Sequence, residues 1–187
     1  MKAHHIATLV ALLLAGALAP GPAARVEGAP TACVNPSRPA QLMPAFVTRI
    51  VDGDTIDTSV QGRGRDRIRL LGIDTPEVYE SEKLDRDAQQ SGQSREAIQA
   101  LGQLASEYTR RHLDGKDVGL ELDVQQRDRY GRLLAHIWLV DGTLFNLQIL
   151  RDGYAQILTI PPNVKYTDLF LACQREAREQ GRGLWGR

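Results

Sequence analysis

The sequence predicts a single α+β domain, and three observations support that class. Five short runs have the composition or the two-residue alternation of β-strands, a stretch between the third and the fourth has apolar residues at helical spacing, and two more helical stretches follow. The 187 residues are enough for one sizeable core, and 42% apolar and 25% charged residues are ordinary proportions. This composition excludes a wholly disordered chain and a protein with many membrane spans.

The first three strands are predicted from turn chemistry and alternation. Residues 45–51 and 55–60 are β-rich runs separated by Asp52-Gly53-Asp54, and the Asp-Gly pair is typical of a tight turn. The third run, residues 65–72, contains Arg67-Ile68-Arg69-Leu70, which alternates polar and apolar residues as a half-buried strand does.

The rest of the chain supplies a long polar segment and five further elements. Residues 78–93 are almost wholly polar and have no period, which predicts a loop over the whole segment. The predicted elements are a helix over 94–113, strands over 118–124 and 133–140, and helices over 144–152 and 167–180. Five strands with a helix between the third and the fourth is the element order of the OB-fold. We therefore expect a five-stranded OB-fold β-barrel with about three α-helices.

The amino terminus has the pattern of an export signal. Lys2 with His4 and His5 forms a short basic start, and residues 6–19 are an unbroken apolar and small run, shorter than the roughly 20 residues of a membrane span. The sequence predicts a signal peptide over about 1–29, a proline-rich tether over 30–44 and a folded domain over 45–187. The protein is then secreted or periplasmic, and the alternative is an uncleaved membrane anchor.

The sequence has only two cysteines, Cys33 and Cys173. An exported protein meets an oxidising compartment, where an isolated pair forms a disulfide if the geometry permits. The alternative is two separate thiols, with Cys173 buried as a small hydrophobic residue.

Three short segments carry the chemistry: Val51–Thr55, Arg69–Glu77 and Asp128–Arg132. Together, in this order and at this approximate spacing, they resemble the staphylococcal nuclease (thermonuclease) family. The resemblance runs from about Phe46 to Trp185, including the closing Leu184-Trp185. It implies the OB-fold and a nuclease activity.

The resemblance also implies a metal site. Asp54 and Asp74 match two carboxylate ligands of the family, and Thr75 matches a residue that offers its backbone carbonyl. Hard oxygen ligands of this kind suit Ca²⁺, which is the expected cofactor. Taken alone, Asp54 would be interpreted as a turn residue.

The catalytic residues implied by the resemblance are Glu77, Arg69 and Arg132. A carboxylate such as Glu77 acts as general base or orients the attacking water if it lies within hydrogen-bond reach, although alone it would be interpreted as a solvated surface residue. The two arginines match those that grip the scissile phosphate, where a guanidinium stabilises the developing charge. Tyr130 is the expected substrate-binding residue.

The leading hypothesis is a secreted, Ca²⁺-dependent nuclease that hydrolyses DNA and RNA to 3′-phosphate ends. One alternative is a catalytically weak OB-fold module that binds nucleic acid, since fold does not imply function. The other is a membrane-anchored nuclease. The resemblance implies no stable protein partner, and a monomer is expected.

Charge and aromatic content predict how the substrate is bound. The 23 basic and 23 acidic residues give a net charge of zero, so bulk positive charge does not hold the nucleic acid. With few phosphates neutralised, binding of single strands should fall with salt by a slope of about −1 to −3. Residues 155–162 lack the tyrosines that the best-known family member has there, which predicts a high KM. Single strands should be preferred over stiff duplexes.

Overall fold

The structure is a computed structural model that describes residues 32–186. The predicted signal peptide, residues 1–29, lies outside the described residues. Within 32–186, no helix combines the length and the hydropathy that a membrane span requires.

Five long strands close into a barrel, and two very short strands pair beside it. The strands are β1 (Met43–Ile50), β2 (Thr55–Val60), β3 (Gly64–Leu70), β4 (Ile73–Asp74), β5 (Asp117–Arg127), β6 (Leu133–Leu139) and β7 (Gln156–Ile157). The barrel order is β1-β2-β3-β6-β5, and its pairs are antiparallel except β3 with β6. The predicted α+β class and OB-type barrel are confirmed.

The alternation in β3 decides which side chains enter the barrel. Ile68 and Leu70 are fully buried, whereas Arg67 and Arg69 lie on the outer face. Because β2 pairs with β3 in register, Thr55 lies opposite Arg69 and Asp57 opposite Arg67. The outer face of these strands therefore carries the charged residues of the site.

Residues 32–186 form four α-helices rather than about three: α1 (Glu82–Ser91), α2 (Arg95–Leu113), α3 (Phe145–Arg151) and α4 (Thr167–Glu179). The additional helix is α1, so the prediction of a loop over all of residues 78–93 is wrong. The Ser81 side chain caps α1 by accepting from Leu84 N at 3.1 Å, and Gly92, with φ of 69°, ends it. Leu84 is its only buried residue, so α1 has no apolar period that the sequence could reveal.

The described part of the predicted tether is attached to the domain. Cys33 forms a disulfide with Cys173 of α4, across a Cα–Cα distance of 4.6 Å. Asn35 donates to the Gly142 carbonyl at 2.9 Å and accepts from Leu144 N at 2.9 Å. A bridge that closes a loop this long contributes about 5 kcal/mol at most in the chain-entropy model. The disulfide and Asn35 therefore fasten residues 33–42 along the fold ahead of β1.

The small β4–β7 ladder places the stretch without tyrosines next to the candidate site. Ile73 pairs with Ile157 and Asp74 with Gln156. Leu158 and Ile160, which follow, are exposed apolar residues. The stretch that follows β7 therefore exposes aliphatic side chains near the site.

Candidate functional site

The turn between β1 and β2 holds Asp54 in a nearly buried position. Asp54 is 6% exposed, and its backbone N–H donates to Asp52 Oδ1 at 3.0 Å. Gly53 lies so close to Thr75 that an added Cβ would be 2.7 Å from the threonine side chain. Thr109 of α2 donates to the Gly53 carbonyl at 2.7 Å. The turn is thus fixed from two sides.

Asp54 is joined to the segment that follows β4. Its Oδ2 atom accepts from Thr75 N at 2.9 Å and from Thr75 Oγ1 at 3.2 Å. The Asp-Gly-Asp turn and the end of β4 therefore form one unit, although 21 positions separate the two residues in the chain.

Arg69 links the two aspartates predicted to bind metal. Its Nη1 lies 3.1 Å from Asp54 Oδ1, and its Nη2 donates to Asp74 Oδ1 at 3.0 Å. Nη1 also donates to the carbonyls of Leu70 and Ile73, at 3.0 and 2.9 Å. The planar guanidinium spreads its donors over two nitrogens and makes these contacts at the same time. A lysine ammonium has its donors on one nitrogen and cannot reproduce them.

Burial and charge crowding raise the pKa of two aspartates here. Burial, followed by repulsion from Asp54, raises the pKa of Asp52 to about 6. The pKa of Asp74 is also raised, first by burial and then by Asp54, although Lys83 and Arg69 oppose the shift. Carboxylates this close repel one another unless a cation lies between them.

Lys83 of α1 places its ammonium against three oxygen groups of this segment. Its Nζ lies 3.0 Å from Asp74 Oδ2 and 2.9 Å from Glu77 Oε1, and it donates to the Thr75 carbonyl at 3.1 Å. Burial alone would lower the pKa of Lys83, but the carboxylates, Asp74 foremost, more than offset it and the pKa is raised. Three oxygen groups thus converge on one positive charge.

Glu77 is positioned by its backbone as much as by Lys83. A Cβ added at Gly102 of α2 would lie 2.6 Å from the Glu77 carbonyl oxygen and 2.7 Å from that of Pro76. Only glycine permits this approach, so α2 forms the support on which the Pro76-Glu77 backbone rests.

Arg132 belongs to a separate turn that Asp128 organises. Asp128 Oδ1 accepts from the backbone N–H groups of Tyr130 and Arg132, at 2.9 and 3.0 Å, and its Oδ2 accepts from Arg132 Nε at 2.6 Å. Burial alone would raise the pKa of Asp128, but the bonds from Arg132 and Tyr130 lower it. Tyr130 is 68% exposed, and the guanidinium of Arg132 lies 5.5 Å from its ring centre.

The donor set fits a hard cation. Asp54 and Asp74 offer carboxylate oxygens, Thr75 offers its carbonyl, and the ammonium of Lys83 marks a point where a positive charge is stabilised. In residues 32–186 no three His, Cys, Asp or Glu side chains are grouped as a metal cluster. A metal here would therefore have two carboxylates, one carbonyl and waters as ligands.

The structure brings together most of the site residues that the sequence predicts. Asp54, Asp74, Thr75 and Arg69 are in direct contact, and Glu77 joins them through Lys83. Arg132 and Tyr130 sit on the neighbouring turn.

Four residues that shape the site were missed by the sequence reasoning: Asp52, Lys83, Gly102 and Asp128. The signal for Gly102 was a glycine inside a helical pattern, which indicates a close approach but not its partner.

Comparisons with known proteins point to one family. A family model described as "Staphylococcal nuclease homologue" matches residues 67–187. The thermonuclease of Staphylococcus intermedius is 36% identical over 142 residues, 76% of either chain, and that of Staphylococcus hyicus is 34% identical over 139 residues, 74% of this chain and 73% of the other. Endonuclease YncB of Bacillus subtilis is 30% identical over 149 residues, 79% of this chain and 64% of the other.

Proposed function

Because the chain belongs to the staphylococcal nuclease family and is a nuclease that hydrolyses phosphodiester bonds, we propose that it is exported and that it requires Ca²⁺. We propose that it cleaves DNA and RNA, with single strands preferred, and leaves 3′-phosphate ends. It acts as a monomer.

One observation carries the mechanism: Arg69 holds Asp54 and Asp74, from different elements, in a single half-buried cluster. Asp54, Asp74 and the Thr75 carbonyl are the ligands of the metal. A Ca²⁺ ion held by these groups would polarise a phosphate oxygen and offset the negative charge that develops on the phosphoryl oxygens. Arg69 keeps both carboxylates oriented before the substrate arrives.

Glu77 acts on the attacking water. Its carboxylate lies at the edge of the cluster, 2.9 Å from Lys83 Nζ, and its backbone is supported by the close approach of Gly102. Glu77 takes the proton of the water as the water oxygen bonds to phosphorus, and the bond from phosphorus to the 5′ oxygen breaks. The products are a 3′-phosphate and a 5′-hydroxyl, which takes its proton from solvent.

The two arginines stabilise the transition state. Arg69 and Arg132 direct guanidinium N–H groups at the phosphate oxygens on which negative charge develops. Asp128 fixes the Arg132 side chain through Nε, so that the remaining N–H groups are available to the phosphate. Tyr130 packs beside the nucleotide.

The decisive experiment compares substrates and metals. The purified protein is incubated with single- and double-stranded DNA and RNA in Ca²⁺ or in excess chelator, and the product ends are identified by mass. We expect 3′-phosphate products, faster cleavage of single strands and no cleavage with chelator. Full activity in chelator contradicts the metal assignment, and binding without cleavage favours the OB-fold binding module.

Export rests on the amino-terminal pattern and is supported by the disulfide. Disulfides such as Cys33–Cys173 persist in oxidising compartments outside the cytoplasm. The test is the amino-terminal residue of the protein recovered outside the inner membrane. A start near residue 30 agrees with cleavage, whereas the intact chain in the membrane fraction favours the anchored alternative.

A further inference from the structure

A groove of about 800 Å³ extends from the Arg132 turn across the outer faces of β1, β2 and β3. We refer to it as the outer groove, and its charged lining residues are Arg49, Arg65, Arg67, Arg132, Asp57 and Asp66. Four arginines against two aspartates give this lining a net charge of +2. The whole chain has a net charge of zero, so the groove is a local positive region.

The register of the strands aligns charged residues in a row that runs across β1, β2 and β3 to Arg132. Asp57 of β2 pairs in register with Arg49 of β1 and Arg67 of β3. Leu133 lies beside Ile68 in the parallel ladder, so the preceding Arg132 comes level with Arg67. The row therefore ends at Arg132, which the proposed function assigns to the scissile phosphate, so the groove and the catalytic site share this arginine.

The arginines of the row are held in place but keep free donors. Asp57 accepts from Arg49 Nη2 at 2.6 Å and from Arg67 Nε at 2.7 Å. Hydrogen bonds, above all from Arg67, lower the pKa of Asp57, so the carboxylate stays charged and fixes both guanidiniums. Among residues 32–186, Nη1 of Arg49 and Nη1 of Arg67 make no hydrogen bond, so these donors are available to an anion.

Arg65 extends the positive region along β3, at right angles to the row and away from Arg69. It lies two residues before Arg67 on β3, so the two side chains share a face and are about 6.6 Å apart along the strand. Arg65 is exposed and has no ion pair within the described residues. The exposed ring of Tyr130 lines the same groove and offers a surface for base stacking.

We propose that the outer groove is a second phosphate subsite, in which Arg65, Arg67 and Arg49 bind the backbone of an unpaired nucleic-acid strand next to the scissile phosphate. The proposal rests on the assignment of Arg132 in the proposed function. If two or three phosphates are bound, the logarithm of the binding constant for single strands should fall with the logarithm of salt concentration by a slope of about −1 to −3. An unpaired strand is the occupant because its backbone is anionic and its bases are free to stack.

The test measures binding without cleavage. Arg65→Ala and Arg175→Ala are each combined with Glu77→Gln, and binding of a fluorescent single-stranded octanucleotide is followed by anisotropy across a salt series. Arg175 is the matched control, since it is also exposed, has no ion pair within residues 32–186 and lies on α4 outside the groove. We expect Arg65→Ala to weaken binding at low salt by up to about 5-fold, as for one exposed ion pair, and to reduce the slope by about 0.7. The control leaves both unchanged.

A cleavage assay separates this proposal from the proposed function. In the protein with an intact Glu77, Arg65→Ala should raise KM for the octanucleotide and leave kcat unchanged. It should not alter KM for a dinucleotide, which is too short to extend from Arg132 to Arg65. Equal losses for Arg65→Ala and Arg175→Ala, or an unchanged salt slope, overturn the subsite. Absence of cleavage by the wild-type protein contradicts the proposed function, and the anisotropy measurement still decides the subsite.

Discussion

The Nζ atom of Lys83 lies 3.0 Å from Oδ2 of Asp74, inside the cluster of oxygens that the proposed metal uses. The same ammonium donates to the Thr75 carbonyl. A cation bound to these two groups competes with Lys83 for them. We therefore expect Lys83 to compete with the proposed metal, in addition to linking α1 to this segment.

Removal of Lys83 should strengthen metal binding. We expect Lys83→Ala to lower the dissociation constant for Ca²⁺ by about threefold or more, the scale of one partly exposed ion pair. The measurement is isothermal titration of Ca²⁺ into the purified protein. Arg86→Ala, on the same helix and exposed, is the control and should bind Ca²⁺ as the wild type does. Unchanged or weaker binding by Lys83→Ala would show that the ammonium does not compete.

Replacement of either arginine, Arg69 or Arg132, by lysine should reduce the rate of cleavage. Arg69→Lys and Arg132→Lys keep the charge but lose the planar donors, so each should lower kcat by about 100-fold or more while the protein still folds. Their melting temperatures should differ. Arg69→Lys also loses bonds to the Leu70 and Ile73 carbonyls and should melt lower, whereas Arg132→Lys should melt near the wild type. A near-normal rate for either variant would mean that charge alone suffices.

Gly102→Ala should damage the site although alanine favours helices. On propensity alone the change would stabilise α2 by about 1 kcal/mol. The new Cβ would instead meet the Pro76 and Glu77 carbonyls at 2.7 and 2.6 Å and displace Glu77. We expect lower kcat and no gain in melting temperature. Gln103→Ala, exposed on the same helix, is the control, and a stabilised, fully active Gly102→Ala would contradict this role for α2.

His136 should make the protein less stable in acid. It is 3% exposed, and burial lowers its pKa to about 4, although Glu121 and Asp123 partly offset the effect. Below about pH 6.5 His136 binds a proton in the unfolded chain but not in the folded protein. Its contribution to the free energy of unfolding is therefore fully present above pH 6.5 and is lost as the pH falls towards 4. The full loss is about 3 kcal/mol.

The measurement for His136 is urea unfolding at pH 7 and pH 4.5, in the wild type and in His136→Phe. The change in the free energy of unfolding between the two pH values should differ by about 2–3 kcal/mol between the proteins, with the wild type losing more stability in acid. Asp52, with its pKa near 6, titrates in the opposite sense but is present in both proteins, so the difference between them isolates His136. The same pH dependence in both proteins would show that other groups cause it.

Much of the fold could be predicted because its strands and three of its helices have apolar residues at regular spacing. In β3 the alternation of Arg67 and Arg69 with Ile68 and Leu70 is the burial pattern that the barrel shows. The predicted barrel strands agree with the observed ones within three residues at each end. Helix α1 could not be predicted in this way, because it rests on the Ser81 cap, the buried Leu84 and a terminal glycine.

The site residues could be predicted only where they lie in short sequence segments that resemble a known family. Asp54, Arg69 and Asp74 were found because short segments resemble a known family, and contacts between those segments brought them together. Lys83 was missed because residues 78–93 show no helical spacing of apolar residues. Without a predicted helix there, nothing in the sequence indicated that Lys83 lies next to Asp74. The Gly102 contact depends on how α2 packs, which no local pattern encodes.

The most direct test of the account is the Ca²⁺ dependence of single-strand DNA cleavage in the wild type and in Asp54→Asn. Asp54 accepts from Thr75 and pairs with Arg69, so the amide of Asn keeps the shape and one accepting oxygen but loses the second acceptor and the charge that the metal requires. Asp168→Asn, exposed on α4, is the control. The account predicts no cleavage by the wild type without Ca²⁺, normal dependence for the control, and a much higher Ca²⁺ requirement for Asp54→Asn. Equal Ca²⁺ dependence for Asp54→Asn and the wild type would contradict it.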